Sequence, residues 1–235
     1  MSRSHPAQWT ITTDIDRAAP ELVEAFRELD TSQIADSGGP VAVIDPGVLA
    51  VTEETDFCGS AVTLWTKPGD ILFILKAPDL ITQGDVLVID GGGRLDAAVI
   101  GDIFSELVRD RGAVGMVVDG AVRDLSDLRK LGLPIFARGV HPATASKEGP
   151  GALNATVQCG GVVVEPGDIV RGDADGVVVI PHEAAESVLA LARAVRDRET
   201  GWRADIRAEG SAAQSLGVDD LIATLSTAPD TTVLP

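Results

Sequence analysis

Aromatic side chains are scarce in this sequence of 235 residues, which has five Phe, three Trp and no Tyr. A surface that stacks bases or sugar rings is therefore not expected. Basic side chains are also few, since 19 Lys and Arg stand against 36 Asp and Glu and leave a formal net charge of −17. Such a surface repels a phosphate backbone, so we expect no nucleic acid partner.

Cysteine, histidine and long apolar runs are equally scarce. Cys58 and Cys159 form no CxxC pair, which predicts two reduced, partly buried thiols in a reducing compartment. The three histidines are widely separated, so a zinc site of His and Cys is not expected. No apolar run reaches the roughly 18 residues of a membrane span, and the first residues do not resemble a signal peptide. We therefore expect a cytoplasmic protein with no membrane partner.

Alternating strands and helices are predicted for the middle of the chain. Apolar runs of strand length occur at 86–90, 114–119 and 134–137, with helices between them over about 95–111 and 124–131. Elements at this spacing indicate right-handed βαβ units and a parallel sheet. Ligand chemistry is then expected at the carboxyl ends of the strands, and the fold class is α/β.

Turn residues and periodicity divide the rest of the chain into shorter elements. Pro20 and Asp30 each mark the start of a helix. Beyond His141, turns rich in Gly and Asp separate short strands that are typical of antiparallel pairing. The predicted elements are helices over 21–29, 71–81 and 182–198, strands at 61–66, 156–165, 168–171 and 176–180, and a short helix near 216–225.

The glycine-rich string IDGGGRLD at 89–96 permits several interpretations. A dinucleotide-binding turn requires G-x-G-x-x-G, but Asp96 occupies the third glycine position, where a carboxylate would face the pyrophosphate. The string also resembles the first motif of methyltransferases that bind S-adenosylmethionine, with Asp119 as the second acid. The simplest interpretation is a turn that leads from a strand into a helix.

The string VVDGAVRD at 117–124 is the most informative one. Taken alone, Asp124 is an ordinary N-cap, followed by a further acid in the first turn of a helix. Arg123 argues against that interpretation, because a cation gains nothing beside the positive end of a helix dipole. A bound anion explains Arg123 better, and Asp124 could then both cap the helix and hold a divalent cation.

A second candidate site is the segment Gly101-Asp102-Ile103-Phe104. If a helix begins at Gly101 and not near Leu95, its free N–H groups form a carboxylate cradle at the same edge of the sheet. The alternative is an unbroken helix with a tolerated glycine. The sequence alone does not choose between the two.

Several strings of this chain together resemble one known family. They are GDVLVIDGGG, IGDIF, VVDGAVRD, FARGVHP and EPGDIVRGDADGVVVI, followed by the last long helix. The chain resembles the RraA-like family, which contains 4-hydroxy-4-methyl-2-oxoglutarate/4-carboxy-4-hydroxy-2-oxoadipate aldolases and regulators of ribonuclease E activity. The resemblance implies a compact α/β sandwich with central mixed sheets flanked by helices, assembled as a trimer or a dimer of trimers. It divides the chain into an N-terminal arm and helix at 1–29, a catalytic domain at 30–200 and a C-terminal extension at 201–235.

The resemblance also implies roles for single residues. Arg123 matches an arginine that binds substrate and stabilises an enolate, and Asp124 matches a metal ligand. The backbone amides of Gly101 to Phe104 match a segment that holds the pyruvyl carboxylate, and Asp102 is placed to hold a metal-bound water. Glu199 matches an acid that the aldolases supply from the neighbouring subunit.

The implied enzyme cleaves a 4-hydroxy-2-oxo acid to pyruvate. The enolate formed in that reaction needs a divalent ion, Mg²⁺ or Mn²⁺, together with Arg123. Oxaloacetate decarboxylation passes through the same enolate and is an expected side activity. Asp197 is an alternative to Glu199 as the acid at the subunit boundary. The alternative function within the family is a regulator that binds ribonuclease E and inhibits it without catalysis.

Overall fold

The computed structural model describes residues 8–227, in which a large mixed β-sheet is flanked by helices. This architecture confirms the α/β fold class. The strands are β1 (Thr10–Ile11), β2 (Ala42–Val43), β3 (Leu49–Ala50), β4 (Phe57–Thr66), β5 (Asp85–Ile100), β6 (Gly115–Val122), β7 (Ile135–Val140), β8 (Gly151–Leu153), β9 (Val157–Cys159), β10 (Val162–Val164), β11 (Ile169–Asp173) and β12 (Gly176–Ile180). The α-helices are α1 (Pro20–Arg27), α2 (Thr31–Ala35), α3 (Asp102–Asp110), α4 (Leu125–Leu128), α5 (Ala185–Glu209), α6 (Ala212–Ser215) and α7 (Val218–Thr227), and short 3₁₀ helices occupy Ile74–Asp79 and His182–Ala184.

The sheet combines a parallel centre with antiparallel flanks. Its strand order is β2-β12-β11-β4-β5-β6-β7-β3, with β8 paired to β4 and β1 paired to β8. The pairs from β5 to β7 are parallel, as the βαβ spacing predicts, and β4 also pairs with β5 in parallel. The strands β11 and β12 form an antiparallel hairpin, and β9 pairs with β10 in a separate antiparallel ribbon. The antiparallel pairing predicted for the strands beyond His141 is thus confirmed for these two pairs.

Both faces of the central strands are buried. Every residue of β4 and of β6 is buried, because layers cover the sheet on each side. Along β5, Leu87 and Ile89 pack in one apolar cluster with the 3₁₀ helix Ile74–Asp79. Val86 and Val88 pack in a second cluster with residues of β9 and β10. This alternation follows the two-residue period of a strand. A third apolar cluster joins α1, α2 and α5 to the antiparallel end of the sheet.

The prediction of a helix over about 95–111 is wrong for its first residues. Strand β5 does not end at the three glycines but continues to Ile100, and α3 begins at Asp102. Gly92 and Gly93 have φ angles of 69° and 71°, and the pairing register with β6 shifts between Asp90 and Arg94. The glycines therefore form an irregularity within a strand. With a strand after them, neither a nucleotide-binding turn nor a simple strand-to-helix turn exists here.

Other boundaries also differ from the predictions, most clearly in three elements. The helix expected over 71–81 is reduced to the 3₁₀ turn around Pro78, because proline lacks the N–H that an α-helix needs. The strand expected over 156–165 is split into β9 and β10 by Gly160 and Gly161, both with positive φ. Helix α5 continues to Glu209, eleven residues beyond the predicted end at 198.

Both cysteines are free and buried, as the sequence predicts. Burial raises the pKa of the Cys58 thiol to about 12 and raises that of Cys159 well above its ordinary value. Both thiols therefore stay protonated and unreactive in the folded chain. Among the helices of residues 8–227, none is long and apolar enough to cross a membrane.

Candidate functional site

The candidate site lies where two neighbouring parallel strands end. Ile100 at the end of β5 pairs with Val122 at the end of β6. The chain then leaves the two strands through Gly101 and Arg123, and the Arg123 backbone N–H donates a 3.0 Å hydrogen bond to the Ile100 carbonyl. The register of the two strands therefore places both predicted motifs at one edge of the sheet.

Gly101 is the N-cap of α3, which decides between the two interpretations left open by the sequence. Its backbone is extended, with φ −144° and ψ −169°. The Ser105 N–H and hydroxyl both donate to the Gly101 carbonyl, at 3.1 and 2.9 Å. The N–H groups of 102–104 precede the first intrahelical bond and have no acceptor within the helix. Asp102 lies in this first turn and is half-buried.

Asp124 has a left-handed backbone, with φ 58° and ψ 38°, and occupies the N-cap position of α4. A non-glycine residue rarely adopts this conformation, although Asp and Asn tolerate it best. Its side chain makes no capping hydrogen bond to the helix. Instead its Oδ2 accepts a 3.2 Å hydrogen bond from Arg123 Nε, and both side chains remain partly exposed. Asp124 thus stands at the N-cap, as the capping interpretation predicts, but its side chain pairs with Arg123 and does not cap the helix.

Gly101 is required by close packing and not by its φ angle. A Cβ built on Gly101 would overlap Asp124 Oδ2 and lie 3.2 Å from both Cγ and Nε of Arg123. The carboxylate and the guanidinium thus lie directly against the backbone at the start of α3. The absence of a side chain at position 101 lets the two motifs meet.

A cavity of about 330 Å³ opens at this junction, and the six predicted residues that follow β5 and β6 all line it. Ile103 stands at its rim with 79% of its surface exposed. Most of the remaining wall is apolar. The lining residues are Gly101, Asp102, Ile103, Phe104, Arg123 and Asp124, joined by Ile71, Ile74, Leu75, Ala98, Val99, Ile100, Leu107, Thr144 and Lys147.

The sequence analysis missed Thr144 and Lys147, which reach the cavity from the loop between β7 and β8. The loop is held against β5 by a 2.8 Å hydrogen bond from the Ala98 N–H to the Ala143 carbonyl. The other end of the loop is hydrogen-bonded to the segment at 69–71, which lies more than 70 residues earlier in the sequence. Only the scarcity of lysine in an acidic chain could have drawn attention to Lys147.

Buried Asp70 organises the far side of this loop. Its Oδ2 accepts 2.6 Å hydrogen bonds from the Ser146 hydroxyl and the Glu148 N–H, and its Oδ1 accepts one of 2.8 Å from the Leu72 N–H. Burial opposes ionisation of Asp70, but the hydrogen bonds from Glu148, Ser146 and Leu72 outweigh it and lower its pKa below the ordinary value. An ionised carboxylate thus fixes the residues on both sides of Lys147.

Glu199 does not line the cavity of its own chain. It lies on α5, and its Oε2 accepts a 2.9 Å hydrogen bond from the Gln33 side chain of α2. Asp197 is exposed and pairs with the neighbouring Arg196. A role for either acid in the site of a neighbouring subunit stays a prediction.

The donor set of the cavity suits a hydrated, hard cation. Asp102 and Asp124 are the two carboxylates of its wall, and residues 8–227 hold no group of three or more His, Cys, Asp or Glu that could bind a metal ion. Zinc sites use three or four such side chains. Mg²⁺ and Mn²⁺ accept one or two carboxylates, and water and substrate oxygens complete their coordination.

A larger cavity, of about 620 Å³, lies elsewhere and is lined by several carboxylates. Its buried acid, Asp168, accepts backbone hydrogen bonds from His182 and Glu165, at 3.1 and 2.8 Å. Burial raises the pKa of Asp168 above its ordinary value. Because both of its oxygens bond to the backbone at a turn, Asp168 has a structural role there.

Fold and site together define an α/β protein with a cavity at the ends of two parallel strands, lined by Arg123, Asp102 and Asp124. The chain belongs to the RraA-like family, whose model, described as Aldolase/RraA, matches residues 20–179. A protein of Halalkalibacterium halodurans with the provisional name 4-hydroxy-4-methyl-2-oxoglutarate aldolase is 37% identical over 179 residues, which cover 76% of this chain and 85% of that protein.

Solved structures show the same fold. RraAS2 of Streptomyces coelicolor, described as an unusual member of the RNase ES inhibitor RraA protein family, is 29% identical with a TM-score of 0.73, covering 81% of this chain and all of that one. The RNA-processing inhibitor RraA from Thermus thermophilis is also 29% identical, with a TM-score of 0.61, covering 65% of this chain and 92% of that one. The family therefore includes relatives named as aldolases and relatives named as inhibitors.

Proposed function

We propose that this protein is a divalent-metal-dependent aldolase. Its substrate would be a 4-hydroxy-2-oxo acid, such as 4-hydroxy-4-methyl-2-oxoglutarate or 4-carboxy-4-hydroxy-2-oxoadipate, and its product pyruvate. The observation that carries the proposal is the meeting of Arg123, Asp124 and the open amino end of α3 in one cavity. The name of the 37% identical relative supports the same reaction class.

Each of these groups has a task in the cleavage. The bond between C3 and C4 breaks, the 4-hydroxyl passes its proton to a carboxylate of the cavity wall, for which Asp102 is the candidate, and becomes a carbonyl, and the electron pair remains on C3 as the enolate of pyruvate. The enolate then takes up a proton at C3 to give pyruvate. The free N–H groups of 102–104 are suited to hold the substrate carboxylate. The guanidinium of Arg123 donates hydrogen bonds to the oxygen on which the enolate charge develops. The negative charge is thus stabilised by fixed donors.

Asp124 would hold the metal ion, with Asp102 in the same wall, and Mg²⁺ or Mn²⁺ suits this pair of carboxylates. When bound, the ion supplies positive charge that polarises the 2-oxo group. Loss of CO₂ from oxaloacetate leaves the same enolate. Oxaloacetate decarboxylation therefore belongs to the proposal as a side activity that uses Arg123 in the same way.

We also propose that the chain assembles as a trimer or a dimer of trimers, in which Glu199 completes the site of a neighbour. Exposed apolar side chains support the assembly, because Ile103 at the cavity rim and Ile222 on α7 are 79% and 59% exposed. Light scattering coupled to size-exclusion chromatography measures the mass directly. A monomer at micromolar concentration would contradict this part of the proposal.

A coupled assay of pyruvate release tests the proposed reaction. The assay is run on a panel of 4-hydroxy-2-oxo acids and on oxaloacetate, with Mg²⁺, with Mn²⁺, or with EDTA. We expect pyruvate from at least one 4-hydroxy-2-oxo acid, and only when a metal ion is present. No release from any member of the panel would contradict the aldolase proposal.

The second candidate function is inhibition of a ribonuclease of the RNase E type. Two solved relatives named as RNA-processing or RNase ES inhibitors, each 29% identical to this chain, favour it. An RNA cleavage assay with the ribonuclease separates the two functions. Inhibition that survives Arg123→Ala, together with no pyruvate release by the unaltered protein, would favour the regulator.

A further inference from the structure

The chain has four lysines, and three of them form ion pairs. Lys67 pairs with Glu148, Lys76 with Asp79 and Lys130 with Asp127, at 3.5, 2.6 and 2.7 Å. For Lys147, the fourth, the part of the chain that the structure describes provides neither an ion pair nor a side-chain hydrogen bond. In a chain with a net charge of −17, an unpaired ammonium group is an exception that requires an explanation.

Lys147 lines the cavity that also contains Arg123 and Asp102. The two cations come from different segments, Arg123 from the end of β6 and Lys147 from the loop before β8. Most of the other residues that line the cavity are apolar. The cavity therefore carries two separate positive groups, only one of which is used by the pyruvyl end of the proposed substrate.

The loop that carries Lys147 is anchored on both sides. The Ile71 N–H donates a 2.8 Å hydrogen bond to the Ser146 carbonyl, and buried Asp70 accepts hydrogen bonds from Ser146 and Glu148, the residues on either side of Lys147. The backbone at position 147 is thus fixed although its side chain is exposed. This arrangement keeps the ammonium group at the cavity at a lower entropic cost than a free loop would require.

We infer that Lys147 is a specificity-determining residue that recognises the second carboxylate of the substrate, the one attached to C4. The inference rests on the proposed function and adds to it a residue that distinguishes dicarboxylic from monocarboxylic 4-hydroxy-2-oxo acids. An ammonium without a competing partner can donate a charge-assisted hydrogen bond to that carboxylate. Asp70 is the positioning residue that holds the loop.

A matched pair of substrates tests this role. 4-Hydroxy-2-oxoglutarate and 4-hydroxy-2-oxopentanoate differ only in a carboxylate or a methyl group on C4. We expect the unaltered protein with Mg²⁺ to prefer the first by kcat/KM. Lys147→Gln lowers that preference about tenfold, the effect of losing one charged hydrogen bond, whereas Lys147→Arg retains most of it.

Lys76→Gln is the control, since it removes the same charge from an exposed lysine that lies outside the cavity. It should leave the preference unchanged. Ser146→Ala, which removes one hydrogen bond to Asp70, should lower the preference by less than Lys147→Gln does. An unchanged preference after Ser146→Ala would overturn the positioning role of this contact.

The outcomes separate the two proposals. If both substrates are cleaved but Lys147→Gln leaves their kcat/KM ratio unchanged, or lowers both values equally, the role of Lys147 is overturned and the aldolase proposal stands. If the unaltered protein with Mg²⁺ releases pyruvate from neither substrate nor from any other member of the panel, the aldolase proposal fails and the inference about Lys147 fails with it.

Discussion

The carboxylate of Asp124 lies directly against the backbone of Gly101, and a side chain at position 101 would have to displace it. This contact joins the start of α3 to the left-handed residue that precedes α4. The two residues follow neighbouring strands, so the contact locks the two halves of the candidate site together. The geometry of the site therefore depends on the absence of one methyl group.

Gly101→Ala tests that dependence. The φ of −144° suits any residue, so the fold should persist, but the added methyl group displaces the Asp124 carboxylate. Because a displacement of about 1 Å in an active site can cost about 100-fold in rate, we expect a loss of that order in pyruvate release. Gly201→Ala is the control, since a Cβ there meets nothing within 4 Å. Full activity of Gly101→Ala would contradict the model of the site.

Asp124→Asn should abolish metal-dependent pyruvate release without unfolding the protein. Asn tolerates the left-handed backbone at this position but lacks the charge that a hard cation needs. We expect the binding of Mn²⁺, measured by calorimetry or by electron paramagnetic resonance, to weaken at least tenfold, the scale of a lost charged contact. Asp127→Asn, three residues further on and paired with Lys130, is the matched control. Turnover of the unaltered protein in EDTA would contradict a metal-dependent mechanism.

Mixed oligomers test whether Glu199 acts across a subunit boundary. Arg123→Ala and Glu199→Ala subunits are each expected to be nearly inactive alone. When they are mixed and reassembled, some sites combine an intact Arg123 with an intact Glu199, so part of the pyruvate release should return. Arg123→Ala mixed with Asp124→Ala is the control, because both residues belong to the same side of the site. No recovery in the first mixture would argue against a shared site.

Asp70 should make stability depend on pH in the acid range. Its pKa in the folded chain lies below the ordinary value of 3.8, so the ionised carboxylate stabilises the fold above that pH. The contribution is lost as the pH falls through the lower pKa of the folded state. We therefore expect the difference in the free energy of unfolding between the unaltered protein and Asp70→Asn to shrink from pH 6 to pH 3. Urea denaturation at both pH values measures it, and a constant difference would exclude this role.

Local sequence patterns predicted much of the fold, because they depend on neighbouring residues. The apolar runs of β5 and β6 and the helix cap at Asp30 needed no distant contact, and the structure contains all three. The R-D string is also expected at the sheet edge, and Arg123 and Asp124 do follow the strand there, although β6 ends at Val122 and not at 119 as predicted.

Features that depend on distant partners could not be predicted. Residues 97–100 read Ala-Ala-Val-Ile, in which Ala favours a helix and Val and Ile favour a strand, and pairing with β6 and with the loop at 143–144 makes them strand. Lys147 reaches the cavity because Asp70 binds Ser146 and Glu148 from 76 and 78 residues away. No local pattern reports such a contact.

The cavity wall is assembled from four stretches of the chain, at 71–75, 98–107, 123–124 and 144–147. A ligand that touches all four links them thermodynamically, because each stretch can open only if it gives up its share of the binding energy. Amide hydrogen exchange should then slow together in these separated stretches when the cavity fills, while exchange in α7, which contributes nothing to the wall, stays the same. The binding of a small molecule would thus appear as cooperative protection that spans nearly 80 residues of sequence.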